Sequence, residues 1–159
     1  MLNVGDKVTD FTLPLAFADG KKDPVPFNSL LGKGPVVIAF FPLAFTGPCT
    51  KEMCELRDHA ATLDGLHAQR VGFSCDTPHS NSEFAKQNKL THGIYSDPNH
   101  KIVNELWDTA VIGGVASRAK RGWMVVDKTG MVVQKWVTED PSVWSGLGPI
   151  EAALSKAKA

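Results

Sequence analysis

Pro35-Val36-Val37-Ile38-Ala39-Phe40-Phe41 is an unbroken apolar run rich in β-branched and aromatic side chains. A strand without a polar face is covered on both sides, so this run predicts the central strand of a sheet held between two layers. Gly47 and Pro48 follow after a short loop. From Cys49 to about residue 66, helix formers carry Leu56, Leu63 and Leu66 at helical spacing, and proline is tolerated at a first helical position. A buried strand leading directly into a helix opens a layered α/β domain.

Outward from this pair the elements keep alternating. Residues 70–75 (RVGFSC) read as a short strand, and Ser80 with Glu83 forms a capping-box pattern opening a helix through Leu90. Residues 94–96 give a further short strand, and residues 99–107 place Ile102, Val103, Leu106 and Trp107 on one helical face. Residues 122–126 and 131–137 flank Asp127-Lys128-Thr129-Gly130, a hairpin signal, and a last helix runs from Gly148 or Pro149 to Lys156. Upstream, residues 8–13 alternate like a strand, whereas residues 18–34, rich in Gly, Lys, Asp and Pro, read as loop. Parallel strands need covered crossovers and the hairpin adds an antiparallel edge, so the expectation is an α/β fold with a central mixed sheet flanked by helices.

The chain has 159 residues, 43% of them apolar, which suits one domain spanning 1–159. Seventeen basic and 17 acidic side chains cancel, leaving no field to attract nucleic acid or an anionic membrane. The first residues, Met1 to Lys7, carry neither the basic opening nor the apolar run of a signal peptide, and a cytoplasmic protein is expected. Three cysteines without a secretory signal predict reactive or buried thiols rather than a disulfide framework. The five histidines show neither i, i+4 pairs nor C-x-x-C partners, so no metal or other cofactor is expected. Ser117-x-x-Lys120 and Lys128-Thr129-Gly130 are too close together for a penicillin-recognising site and lack the Ser-Asp-Asn between them.

The chemistry lies where the central strand meets the first helix. Cys49 falls in the first helical turn, beside unpaired backbone N–H groups and the positive end of the helix dipole. That position lowers a thiol pKa and raises the fraction of thiolate, the attacking form. The alternative is one more buried structural cysteine.

Pro42, Thr46 and Cys49 resemble the P-x-x-x-T-x-x-C signature of the peroxiredoxin family, preceded as in that family by an apolar strand ending in Phe40-Phe41. The resemblance implies a thioredoxin-like fold and a thiol-dependent peroxidase acting on hydrogen peroxide or organic hydroperoxides. Residues 41–47 (FPLAFTG) are similar to the alkyl hydroperoxide reductase E type, and residues 49–58 (CTKEMCELRD) to the bacterioferritin comigratory protein type, also called peroxiredoxin Q. It further implies roles for individual side chains. Cys49 attacks the peroxide, Thr46 offers it a hydroxyl, Pro42 shields it from water, and Arg121, at the start of RGWMVVD, stabilises thiolate and developing oxyanion. Arg118 is the substitute for Arg121 if the strand boundary lies elsewhere. Glu52 orients Arg121 or is simply solvated in the first turns. Cys54 resolves the sulfenic acid, in competition with Cys75 or an external thiol. A thioredoxin-like dithiol is the implied reductant, and the protein is a monomer or homodimer.

One departure stands out: Pro48 lacks an N–H at a turn where the family generally uses backbone amides to hold the peroxide. Two rivals remain, a thiol-disulfide oxidoreductase on the same fold and a redox-sensing or binding module. Cys49 and Cys54 do not match the oxidoreductase C-x-x-C.

Overall fold

The structure, a computed structural model, describes residues 1–158. In chain order it comprises β1 (Thr12–Ala16), β2 (Pro24–Pro26), a 3-10 turn (Phe27–Leu30), β3 (Val36–Phe40), α1 (Gly47–Asp58), α2 (Ala60–Gly65), β4 (Gln69–Ser74) and α3 (Pro78–Gln87). There follow β5 (Ile94–Ser96), α4 (Val103–Leu106), β6 (Thr109–Ile112), β7 (Val115–Ala119), β8 (Gly122–Val126), β9 (Val132–Val137) and α5 (Gly148–Lys158). Seven strands form one mixed sheet in the order β2-β1-β5-β4-β3-β8-β9. β3, β4 and β5 are parallel, and β8, β9, β1 and β2 join antiparallel at either side.

β3 is central, as its sequence requires. Val36, Ile38 and Phe40 face one core, shared with Phe11, Phe27, Phe73, Tyr95 and Trp107. Val37, Ala39 and Phe41 face the other, covered by Met53 and Leu56 of α1, Phe84 of α3 and Ile150 and Leu154 of α5. Each large side chain fully buried in this way contributes about 1.5–3 kcal/mol. β3 is thus a firm base for the loop that leaves its C-terminal end.

Several boundaries differ from the sequence reading, each for a local reason. The helix expected to continue to residue 66 breaks at His59, whose N–H bonds back to Glu55 and Arg57 and whose φ/ψ of −101/22 leaves the helix, letting α2 turn Leu63 into the core. The cap of α3 is Thr77, which accepts the Ser80 N–H ahead of Pro78, while Glu83 bonds instead to Gln87. The helix expected over 99–107 shrinks to α4 because the buried Asp97 carboxylate takes the amides of Lys101, Ile102 and Val103 at 2.8–2.9 Å and holds the approach as a loop. The 8–13 strand begins only at Thr12; Val8 and Phe11 are buried without joining the ladder. The expected loop over 18–34 contains β2, whose terminal prolines suit an edge strand. The β6–β7 hairpin was not foreseen; its turn is Gly113-Gly114, at φ +60° and +77°, values that favour glycine.

Candidate active site

The chain leaves β3 through Pro42 and reaches α1 by way of Phe45, whose φ of +67° is a strained value for a bulky side chain. The reversal is braced by the Ala44 N–H donating to Asp76 Oδ2 (3.0 Å) and by the edge-to-face packing of Phe45 on Phe84. Thr46 is the N-cap residue, and Cys49 is the third residue of α1. Thr46 Oγ1 lies 2.7 Å from the Leu43 carbonyl oxygen. Its single proton turns either to that carbonyl or to the sulfur, for which it is also a partner.

Arg121 comes from the other side of β3. Gly122, the first residue of β8, has no room for a side chain: a Cβ would overlap the Trp136 carbonyl and the Trp107 ring. Trp107 stacks on Phe40 with ring centroids 4.1 Å apart and donates its indole N–H to the Lys120 carbonyl (2.8 Å). Held this way, Arg121 places Nη2 2.9 Å from Cys49 Sγ, Nη1 2.6 Å from Glu52 Oε1 and Nε 2.8 Å from the Pro141 carbonyl. Three directions of the guanidinium plane are fixed, which a lysine could not reproduce. Arg118 does not reach the thiol; it pairs with Asp76 at 3.7 Å.

Cys49, Glu52 and Arg121 are all at most 1% exposed. Burial corrects the expectation of a lowered thiol pKa: it pushes Cys49 up by more than Arg121, Thr46 and the Leu43 amide hold it down. Glu52 is likewise held well above the ordinary carboxylate range by burial, against the pull of Arg121. The sulfur sits in the floor of a cavity of about 240 Å³, with Pro42, Leu43, Pro48, Ile112 and Pro141 among its walls and Thr46 and Arg121 supplying polar groups.

The remaining cysteines lie apart. Cys54, one turn further along α1, is half-buried with Sγ 3.8 Å from Asn88 Oδ1. Cys75 is buried in the core on the opposite face of the sheet from Cys49, and burial together with Asp97 pushes its thiol to about 11. Sequence reasoning missed Asp76, which braces the loop, the hairpin tip at Ile112 and Gly113, and the Pro141 carbonyl. The Gly-Gly pair was a readable turn signal; nothing local marked Asp76 or Pro141.

An α/β sheet carrying a buried thiol against an arginine at a helix start is the framework of a thiol-based oxidoreductase. The AhpC/TSA family model matches residues 4–135. Alkyl hydroperoxide reductase E of Mycobacterium bovis is 34% identical over 134 residues, covering 83% of each chain. The chloroplastic peroxiredoxin Q of Sedum lineare is 34% identical over 128 residues, covering 79% of this chain and 67% of its own length. Peroxidoxin BcpB of Mycobacterium tuberculosis matches in structure with a TM-score of 0.79 at 30% identity, over 99% of this chain and 94% of its own. The chain belongs to the AhpC/TSA family of peroxiredoxins and is a thiol peroxidase. No helix among the described residues is long and apolar enough to cross a membrane.

Proposed function

We propose that Cys49 is the nucleophile of this peroxidase, and that the cavity above it selects organic hydroperoxides. The observation carrying the reading is the 2.9 Å contact between Cys49 Sγ and Arg121 Nη2 at the base of a largely apolar cavity. The thiolate attacks one peroxide oxygen, forming S–O as O–O breaks, and the departing oxygen takes a proton and leaves as an alcohol or water. Charge builds on that oxygen, where Arg121 and the Thr46 hydroxyl are available as donors. The Leu43 amide faces the sulfur at a turn where Pro48 has no N–H to give. Pro42, buried against the site, keeps bulk water from the thiolate.

Pro42, Leu43, Ile112 and Pro141 offer an alkyl group contact area that hydrogen peroxide cannot use. The kcat/KM for cumene hydroperoxide is therefore expected to exceed that for hydrogen peroxide by tenfold or more, and Ile112→Ser to cut the ratio several-fold, the scale of lost apolar pocket contact. Equal constants in the wild type would remove the specificity reading and leave the nucleophile untouched.

Cys54 resolves the sulfenic acid, giving a disulfide and water, and a thioredoxin-like dithiol reduces the disulfide. Both cysteines lie within α1, where five residues put the Cα atoms roughly 8.6 Å apart. A disulfide tolerates about 7 Å, so the first turns must open in each cycle. Peptide mapping after one equivalent of hydroperoxide is expected to yield a 49–54 disulfide with reduced far-UV helicity. A stable sulfenic acid in the wild type, or a 49–75 linkage, contradicts this step.

A further inference from the structure

We propose that Glu52 is the protonated member of the buried Cys49–Arg121–Glu52 cluster in the resting enzyme, and that it gives up this proton when Cys49 is oxidised. The inference rests on Cys49 being the peroxide-reactive thiol.

The charge count leads there. One guanidinium faces two acids, bonding to Cys49 Sγ and to Glu52 Oε1, and all three groups are buried. The charged groups acting on Glu52 are Arg121, from the start of β8, and Glu55, on its own helix and of the wrong sign to help; Glu55 is itself held by Trp144 Nε1 at 2.6 Å. The neighbouring cations along the chain are engaged elsewhere, Lys120 with Asp108 and Glu139 and Arg118 with Asp76. Two anions on one cation would leave a net negative charge in the interior, which costs far more than keeping one proton. The pair therefore titrates as a unit, with both acids pushed up by burial and only one guanidinium to hold them down.

The surroundings of the two acids say which one keeps the proton. Cys49 Sγ has Arg121, Thr46 and the Leu43 amide as partners and lies in the cavity floor, whereas Glu52 Oε2 is buried with no partner and does not line the cavity. An oxygen without a donor is where a proton replaces a missing interaction. Ordinary glutamate and cysteine values differ by about 4 units. Full burial raises a carboxyl by up to about 3–5 units, the scale of that gap, and Glu52 is the acid held well above its ordinary range, while Arg121, Thr46 and the Leu43 amide offset part of the rise at Cys49. With Glu52 neutral, the charge of Arg121 is left for the thiolate.

Oxidation removes the negative charge from sulfur, and Arg121 then favours ionised Glu52. The balance is thiolate, ROOH and neutral Glu52 going to sulfenic acid, ROH and Glu52 carboxylate. The alkoxide's proton is matched by the one Glu52 releases, and no net proton comes from solvent.

Single-turnover oxidation of the Cys54→Ser enzyme in weak buffer with an indicator dye tests this, at a pH where ultraviolet absorbance shows Cys49 as thiolate. The expected result is zero net proton uptake per sulfenic acid trapped, and uptake of one proton when Glu52→Gln is added. Uptake of one proton without that substitution, or equal uptake in both, overturns the inference. If the glutamine variant does not fold, the infrared difference spectrum decides: oxidation must bleach a carboxylic-acid band, and its absence is equally fatal. Failure to trap any sulfenic acid on Cys49 would instead refute the assignment of the nucleophile.

Discussion

Arg121→Met is expected to slow the reaction of Cys49 with hydroperoxide by on the order of 10²–10³-fold, the usual cost of removing a donor that faces developing charge. Arg121 is the cation bonded to the thiol, at 2.9 Å, and the length of the methionine keeps most of the packing while removing charge and all donors. The same substitution leaves Glu52 buried with neither oxygen bonded, at a cost of a few kcal/mol in stability. Adding Glu52→Leu removes the orphaned polar group altogether, so the double variant is expected to regain much of its melting temperature and none of its rate. Arg121→Lys is intermediate, because one ammonium cannot span Sγ, Oε1 and the Pro141 carbonyl together. Stopped-flow measurement of Trp fluorescence or competition for a known peroxide gives the rate. A wild-type rate in Arg121→Met would end the electrostatic account.

Acid is expected to unfold this protein through His92. Its ring is 4% exposed, neither nitrogen has a hydrogen-bond partner among the described residues, and burial, with Arg70 and Arg57 nearby, depresses it to about 3. The unfolded chain takes up the proton near pH 6.5. Above that pH both states are neutral and the group contributes no pH dependence. Below it the unfolded state binds a proton that the folded state refuses, so stability falls by about 1.4 kcal/mol per pH unit until the folded value near 3 is reached. Between pH 6.5 and 4.5 the loss amounts to about 2–3 kcal/mol. His92→Phe, of similar volume and without a titrating group, should flatten this part of the profile. Urea unfolding of both proteins at pH 7 and pH 4.5 measures it, and equal losses in the two would show that carboxylates elsewhere carry the acid sensitivity.

The α/β order, the central β3 and the β8–β9 hairpin were legible in the sequence because each depends on periodicity and turn chemistry acting over a few residues. The meeting of strand and helix at Gly47-Pro48-Cys49 was legible for the same reason, and with it the candidate thiol. Pro42, Thr46 and Arg121 came from the resemblance, and tertiary structure decided which arginine reaches the sulfur. Arg118 and Arg121 both precede β8, and packing of Gly122 against Trp136 and Trp107 turns only the second toward Cys49. The contacts that define the cluster join residues 69 and 72 positions apart, beyond the range of any local pattern. Burial was equally out of reach: it turned a first-turn Glu52 into an interior acid, raised rather than lowered Cys49, and sealed His92 away from water. Cys75 ends up across the sheet from Cys49 because side chains alternate along a strand, and which face meets α1 is settled only when the layers pack. Local sequence determined which elements form and where a reactive thiol could stand; the desolvation and pairing that set its charge exist only once distant elements close around it.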